Sequence, residues 1–228
     1  MPAAASSGSP AGQAPGARLL ALVEVMDRLR AGCPWDAKQT HETLAPFLQE
    51  ETYEALEALD SGDPDAIREE LGDVLLQVVF HARVAAERDD GTGYTIDDVA
   101  DGIIDKLTRR HPHVFGDVTV SGADEVKTNW DAIKAAERQA AGNGPGSVLD
   151  GVPAGQPALS LAAALQRRAG RAGGPQALAD DHRVSEIGAE LFALVARAQA
   201  EGLDPERELR LAARAYRDQV RAWETDSR

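Results

Sequence analysis

Val74-Leu75-Leu76-Gln77-Val78-Val79-Phe80 is almost wholly apolar, and no alternating strand pattern accompanies it in a chain whose dominant period is 3.6. A run of that kind predicts a helix buried nearly all round. Directly before it, Glu70-Leu71-Gly72-Asp73 sets two carboxylates three residues apart, on one helix face. Carboxylates adjoining a buried segment need partners or a metal. A second acidic cluster, Glu50-Glu51-x-x-Glu54, lies on the preceding amphipathic stretch, again at helical spacing. Packed antiparallel, two such helices bring four or five carboxylates around one point. Like charges that close raise each other's pKa, and hard oxygen ligands select Mg²⁺, Mn²⁺ or Ca²⁺ over zinc. The competing reading is a pair of solvated helix faces in an acidic chain, which carries 38 Asp and Glu against 24 Lys and Arg. Asp97-Asp98-Asp101 has similar spacing without an apolar neighbourhood and is read as surface.

The fold class that follows is all-α. Leu19, Leu22, Val23, Met26 and Leu29 form the stripe of a first helix, ended by Gly32 and Pro34. A second runs from about Thr43 to Asp60, with Leu44, Phe47, Leu48, Leu56 and Leu59 toward the core. In Ser61-Gly62-Asp63-Pro64, glycine ends that helix, aspartate caps the next and proline suits its first position. The third helix reaches roughly Arg88. Thr95-x-x-Asp98 has the form of a capping box for a fourth, to about Arg110, which His111-Pro112-His113 stops. A helix over about Ala123 to Arg138 contains Trp130. Four parts are expected: a disordered tail over 1–17, a catalytic helical domain over 18–140, a linker over 141–157, and a second helical domain over 158–228.

That second domain carries an internal repeat. Glu186-Ile187-Gly188-Ala189-Glu190-Leu191-Phe192-Ala193-Leu194-Val195 aligns with residues 70–79 at a constant offset. A glycine inside a helix costs about 1 kcal/mol relative to alanine, so its recurrence suggests close helix packing in both halves. Asp73 is matched by Ala189, and no Glu-Glu-x-x-Glu segment precedes the second copy. It reads as a degenerate, metal-free repeat.

The net charge of −14 is wrong for an electrostatic grip on nucleic acid or an anionic membrane. No apolar run is long enough for a membrane span. Residues 1–17 lack the basic start and apolar centre of a signal peptide, and the single cysteine, Cys33, forms no internal disulfide. A cytoplasmic setting is the expectation. A P-loop is excluded, since no Gly-x-x-x-x-Gly-Lys occurs. His41, His81, His111 and His113 show no pair at ligand spacing on one helix, so zinc is not expected. Trp35 is assigned to the core in preference to a place beside a ligand.

Cys33-Pro34-Trp35-Asp36, Gln39-Thr40-His41, Glu50-Glu51-Thr52-Tyr53-Glu54, Glu69-Glu70-Leu71-Gly72-Asp73 and Arg109-Arg110-His111-Pro112-His113-Val114-Phe115 occur in that order. Together they resemble the MazG family of nucleoside triphosphate pyrophosphohydrolases, within the all-α NTP pyrophosphatase group. The resemblance is dense from about Leu19 to Arg138 and weaker from about Val184 to Glu224. It implies Mg²⁺-dependent hydrolysis of a nucleoside triphosphate to the monophosphate and pyrophosphate, with Mn²⁺ able to substitute, by a homodimer. By motif position, Glu51, Glu54, Glu70 and Asp73 would hold the metal, Lys106, Arg109 and Arg110 would contact the triphosphate, and Trp130 would lie near the nucleotide. In the second half, Ala189 replaces the aspartate, and Asp218 and Gln219 replace the basic pair.

The residue chemistry is consistent with that family independently. A polyanionic substrate needs cations to invert the field of a carboxylate cluster. Lys106, Arg109 and Arg110 share one face of the fourth helix, where they could meet a leaving pyrophosphate or merely the helix dipole. Glu50 is the spare carboxylate and a candidate base for the attacking water, with Glu51 beside it. Two other functions compete: a related pyrophosphatase of narrow substrate range, and a non-catalytic helical dimerisation module holding a structural divalent ion.

Overall fold

The computed structural model describes residue 14 and residues 16–140, 146–175, 177–179 and 181–226. Among the described residues every regular element is helical and no strand occurs. The order is α1 (Ala17–Gly32), a 3₁₀ turn (Asp36–Lys38), α2 (His41–Ser61), α3 (Pro64–Ala85), α4 (Ile96–Arg110), the single turn α5 (Pro112–Phe115), α6 (Ala123–Ala140), α7 (Ala158–Arg171), α8 (Glu186–Ala200) and α9 (Pro205–Asp226). Two compact units divide within α6, after Asp131. The tail expected over 1–17 and the start of the linker expected at 141 lie largely outside the described residues.

Local signals set the helix ends. The Thr40 hydroxyl accepts from the Thr43 amide, and the Thr43 hydroxyl accepts from the Thr40 amide at 2.8 Å. This reciprocal cap starts α2 at His41, two residues before the sequence-based boundary. Gly62 closes α2 at φ 72, a left-handed conformation that glycine adopts without strain. Asp63 then caps α3, with Pro64 at its first position. Thr95 and Asp98 form the expected capping box on α4. The chain does stop at His111, but Pro112 at once starts α5, a turn absent from the sequence reading.

In the first unit α2 and α3 form an antiparallel hairpin against which α1 packs, and the head of α4 closes one end. Met26, Leu44, Val79 and Phe80 are the buried centre, with Leu22, Val23, Leu75, Leu76, Val84 and Ile96 packed around it. Deleting most of a buried side chain removes its transfer energy and leaves a cavity. Met26→Ala should therefore lower the unfolding free energy by about 2–5 kcal/mol. A urea-melt difference below about 1 kcal/mol would show that Met26 is not at the centre of the core.

Burial along α2 differs from the expectation. Leu44, Ala55 and Ala58 are buried and Leu48 half-buried, whereas Phe47 and Leu59 are exposed. With Glu51, also half-buried, residues 44, 48, 51, 55 and 58 follow alternating steps of four and three, the seam spacing of two helices packed side by side. The two alanines were invisible to a reading that looked for bulky side chains. On α1 the stripe narrows to Met26 with Leu22 and Val23 half-buried, while Leu19 and Leu29 face outward. Nor is α3 covered all round: Leu71 is 52% exposed and Val78 39%. Within one chain, α1, α2 and the head of α4 leave part of its circumference open.

Ion pairs tie α1 to the far end of α3. Arg30 Nε and Nη2 donate to the two oxygens of Glu87, each at 2.8 Å. Arg83 joins Asp27 at 2.6 Å and Glu87 at 3.1 Å, and Arg30 Nη1 also donates to the Asp36 carbonyl. In the second unit α7, α8 and α9 pack together. Gln166 there donates to the Phe192 carbonyl at 2.7 Å and accepts from Gln199 at 2.8 Å, and the Ser160 amide donates to the Glu206 carboxylate at 3.2 Å.

The two repeat glycines do not serve close helix packing. A side-chain carbon at Gly72 would meet nothing within 4 Å, and one at Gly188 would meet only Val184 and Ser185 of its own preceding turn.

Candidate active site

The seam of α2 continues Leu44, Leu48, Glu51, Ala55, and that of α3 runs Glu70, Asp73, Gln77, Phe80. At one level of the hairpin the facing seam residues are therefore carboxylates, where apolar contacts would otherwise be. Glu51, Glu70 and Asp73 each offer an oxygen within 4.8 Å of the others, and all three are half-buried. Glu54, a turn further along α2, is exposed but acts on both Glu51 and Glu70. Glu50 and Glu69 flank the group, each raising the pKa of its neighbour. The exposed Asp97, Asp98 and Asp101 stay apart from it, as expected of surface residues.

Desolvation, reinforced by Asp73 and Glu54, lifts the Glu51 carboxyl above the usual carboxylate range. Desolvation and then Glu54 and Asp73 do the same for Glu70. Among the described residues no cation figures among the groups acting on either. The chemistry of this donor set, three oxygens of like charge converging from two helices, fits a hard divalent cation and offers no nitrogen or sulfur.

A pH-dependent stability follows. A folded-state pKa above the unfolded value gives stability that is complete below the ordinary carboxylate pKa and is lost as pH rises through the raised value. Without divalent cations, Glu51→Gln should therefore melt at a higher temperature than the unsubstituted chain at about pH 7, with the gap closing toward about pH 4. Saturating Mg²⁺ should reverse the order. Equal melting temperatures for the metal-free proteins at neutral pH would mean that the carboxylates do not strain one another.

The expected phosphate-binding residues lie on α4. Lys106 and Arg109 are exposed and Arg110 is half-buried at its C-terminal end. Trp130, half-buried on α6, stands edge-on to His111, with ring centroids 5.1 Å apart. The His111 Nδ1–H donates to the Leu107 carbonyl at 2.7 Å, which fixes the tautomer and leaves Nε2 as acceptor. His113 lies against the other side of His111. The basic α4 end and Trp130 are thus linked through His111, a junction the sequence reading treated only as a helix stop.

Trp35 is not a core residue. It is 52% exposed and meets Phe47 edge-on, with centroids 5.7 Å apart. What holds its loop is Gln39, buried, which donates to the Trp35 carbonyl at 2.9 Å and accepts from the Thr43 hydroxyl at 2.8 Å. Two of the histidines nevertheless meet across helices. His41 at the head of α2 and His81 on α3 bring their Nδ1 atoms to 2.8 Å. Spacing rules within one helix cannot find a pair formed between two.

Fold and site together define an all-α protein that presents a carboxylate cluster for a hard divalent cation between two antiparallel helices. Residues 39–115, which contain every carboxylate of that cluster and the α4 basic face, match the MazG nucleotide pyrophosphohydrolase domain. The chain is 41% identical to the nucleoside triphosphate pyrophosphohydrolase/pyrophosphatase MazG of Thermotoga maritima, over 89% of its own length and 84% of that protein's. It belongs to the MazG family. It is 49% identical to an uncharacterized 26.1 kDa protein in the blaB 3′ region of Streptomyces cacaoi, covering 92% of this chain and 84% of that one. It is also 42% identical to a Mycolicibacterium smegmatis nucleoside triphosphate pyrophosphohydrolase, again over 92% of this chain but spanning only 60% of the relative.

Proposed function

We propose that this chain hydrolyses nucleoside triphosphates, non-standard or damaged deoxynucleotides among them, to the monophosphate and pyrophosphate, using Mg²⁺ with Mn²⁺ able to substitute. The observation that carries the reading is the convergence of Glu51, Glu70 and Asp73 in the α2–α3 seam. With Glu54 they would hold one or two cations. A bound cation supplies Lewis acidity toward phosphate oxygens and toward the attacking water. Glu50, exposed beside the cluster, would accept that water's proton. Lys106, Arg109 and Arg110 would neutralise charge on the leaving pyrophosphate, and Trp130, held against His111, would border the nucleotide. The test is a nucleotide panel, including oxidised and deaminated dNTPs, assayed for pyrophosphate with Mg²⁺ and with Mn²⁺. Absence of pyrophosphate from every substrate would leave a non-catalytic helical module with a structural ion.

The second unit is a scaffold descended from a repeat of the first. In support, Glu186–Val195, in α8, repeats the residue pattern of Glu70–Val79, in α3. The boundaries at 18–140 and 158–228 belong to the same proposal. A homodimer is supported by the open side of α3 and by Ile103, Ile104 and Leu107, all exposed on α4. Light scattering at micromolar concentration should give twice the chain mass, and a monomer there would count against the assembly. Among the described residues no helix is long and apolar enough to cross a membrane, and the lone cysteine fits a reducing, cytoplasmic setting.

A further inference from the structure

His41 and His81 take no part in the reaction proposed above, yet they make the closest polar contact described between α2 and α3. Their rings are parallel within 3°, with centroids 5.1 Å apart and Nδ1 atoms at 2.8 Å. One Nδ1 carries the proton and the other the lone pair. His81 Nε2 is sealed from solvent and has no hydrogen-bond partner among the described residues. Were His41 the donor, His81 would carry its own proton on that sealed nitrogen, leaving a buried N–H unsatisfied. With His81 as donor, the sealed nitrogen is a bare lone pair, the cheaper orphan. The bond therefore runs from His81 Nδ1–H to His41 Nδ1, with both rings neutral.

We propose that His41 and His81 are positioning residues whose hydrogen bond pins α2 against α3 in the register that sets Glu51 opposite Glu70 and Asp73, and that protonation of the pair releases the pin. The inference rests on the divalent-cation reading of those carboxylates. Eight residues separate Asp73 from His81, about 12 Å of helix, so the pin lies on the same hairpin as the cluster but outside it. The repelling carboxylates push the two helices apart at one level, and the imidazoles hold them at another. A slip of one residue moves a ligand by about 1.5 Å, several times the ~0.2 Å tolerance of a metal–oxygen distance.

Protonation of both rings undoes the link by simple counting. The first added proton leaves the bridging hydrogen in place but puts an unsatisfied N–H on the sealed nitrogen. The second removes the last lone pair between the rings and sets two cations edge to edge. Burial, then the neighbouring His41, hold His81 below the usual imidazole range. A lowered folded-state value means stability that is complete above the ordinary imidazole pKa and is lost as pH falls through the lowered one. The charged groups linked at this end of α3 are Asp27 and Arg30 of α1, the latter also donating to the Asp36 carbonyl of the 3₁₀ turn, with Arg83 on α3 and Glu87 just beyond it. Arg30, Arg83, Asp27 and Glu87 are engaged with one another, and of all these neighbours only His41 acts on His81.

The experiment is Mn²⁺ binding to the full chain by calorimetry between about pH 8 and about pH 5.5, for the unsubstituted protein, His41→Asn and His81→Leu. Asparagine presents an oxygen where His41 presents Nδ1, so it accepts the same bond and does not titrate. His41→Asn should bind Mn²⁺ within about twofold of the original at pH 8 and lose the step in affinity across the imidazole range. His81→Leu should bind about tenfold more weakly at pH 8, in the range found for residues that orient metal ligands. All three should keep the later decline as the carboxylates protonate. If both variants retain the original affinity and pH profile, the pin is wrong while the cation site stands. If the unsubstituted protein binds no Mn²⁺, the cation reading fails and the inference with it. Should His81→Leu lose its helical circular dichroism, the pH profile of His41→Asn decides alone.

Discussion

Asp73→Asn should lower pyrophosphate release by about a hundredfold or more at ordinary Mg²⁺, since loss of groups that merely orient ligands costs 10–100-fold, while leaving the helical circular dichroism unchanged. The change replaces one carboxylate oxygen by an amide nitrogen of nearly the same shape, so the α2–α3 seam keeps its packing. It removes one negative charge from a group that converges with Glu51 and Glu70, and with it the strongest attraction for a divalent ion. The folded protein should not suffer, because Asp73 raises the pKa of both glutamates and its neutralisation relieves them. Loss of turnover without loss of fold separates a ligand from a structural residue. Glu54→Gln should behave likewise if Glu54 completes the site from its exposed position. Near-normal turnover by Asp73→Asn would remove the metal assignment.

The second large effect is a division of labour between the two units. Residues 147–228 alone should release no pyrophosphate, whereas a chain shortened to residues 1–144 should retain metal-dependent hydrolysis. Three requirements are missing together in the second unit. The helix in the place of α2, α7, contains no acidic residue and carries Arg167, Arg168 and Arg171. Ala189 stands where Asp73 is proposed to provide a ligand. Among the described residues no group of three carboxylates converges between its helices, where Gln166 pairs with Gln199 and Glu206 accepts from the Ser160 amide. Pyrophosphate release by the isolated second unit, or Mn²⁺ bound at Glu186, would contradict this division.

Much of this was legible because it is written locally. Thr95 with Asp98, Asp63 with Pro64, and Gly62 each act within a turn of their own position, so boundaries could be read from neighbouring residues. The carboxylates were legible for the same reason: Glu70 and Asp73 lie one helical turn apart, and the apolar run beyond them announces burial. The facing of α2 was harder, because Ala55 and Ala58 are what allow its close approach and alanine carries no periodic signal of its own. The His41–His81 contact depends on the register of one helix against another, which no single-helix pattern contains. The full circumference of α3 misled in the opposite direction, since an apolar sequence states what must be covered and not which molecule covers it.

The Arg30–Glu87 pair joins residues 57 positions apart, and this bears on how the chain is made. During synthesis α1 emerges before α2 and α3, but Arg30 cannot close on Glu87 until the residues just beyond α3 have left the ribosome. The α2–α3 hairpin, with its short Gly62–Asp63 turn, can form earlier and by local contacts alone. The carboxylate cluster is thus assembled before the segment that seals the core docks. Vectorial folding of this unit runs from hairpin to closure, with α1, translated before the hairpin, docking after it.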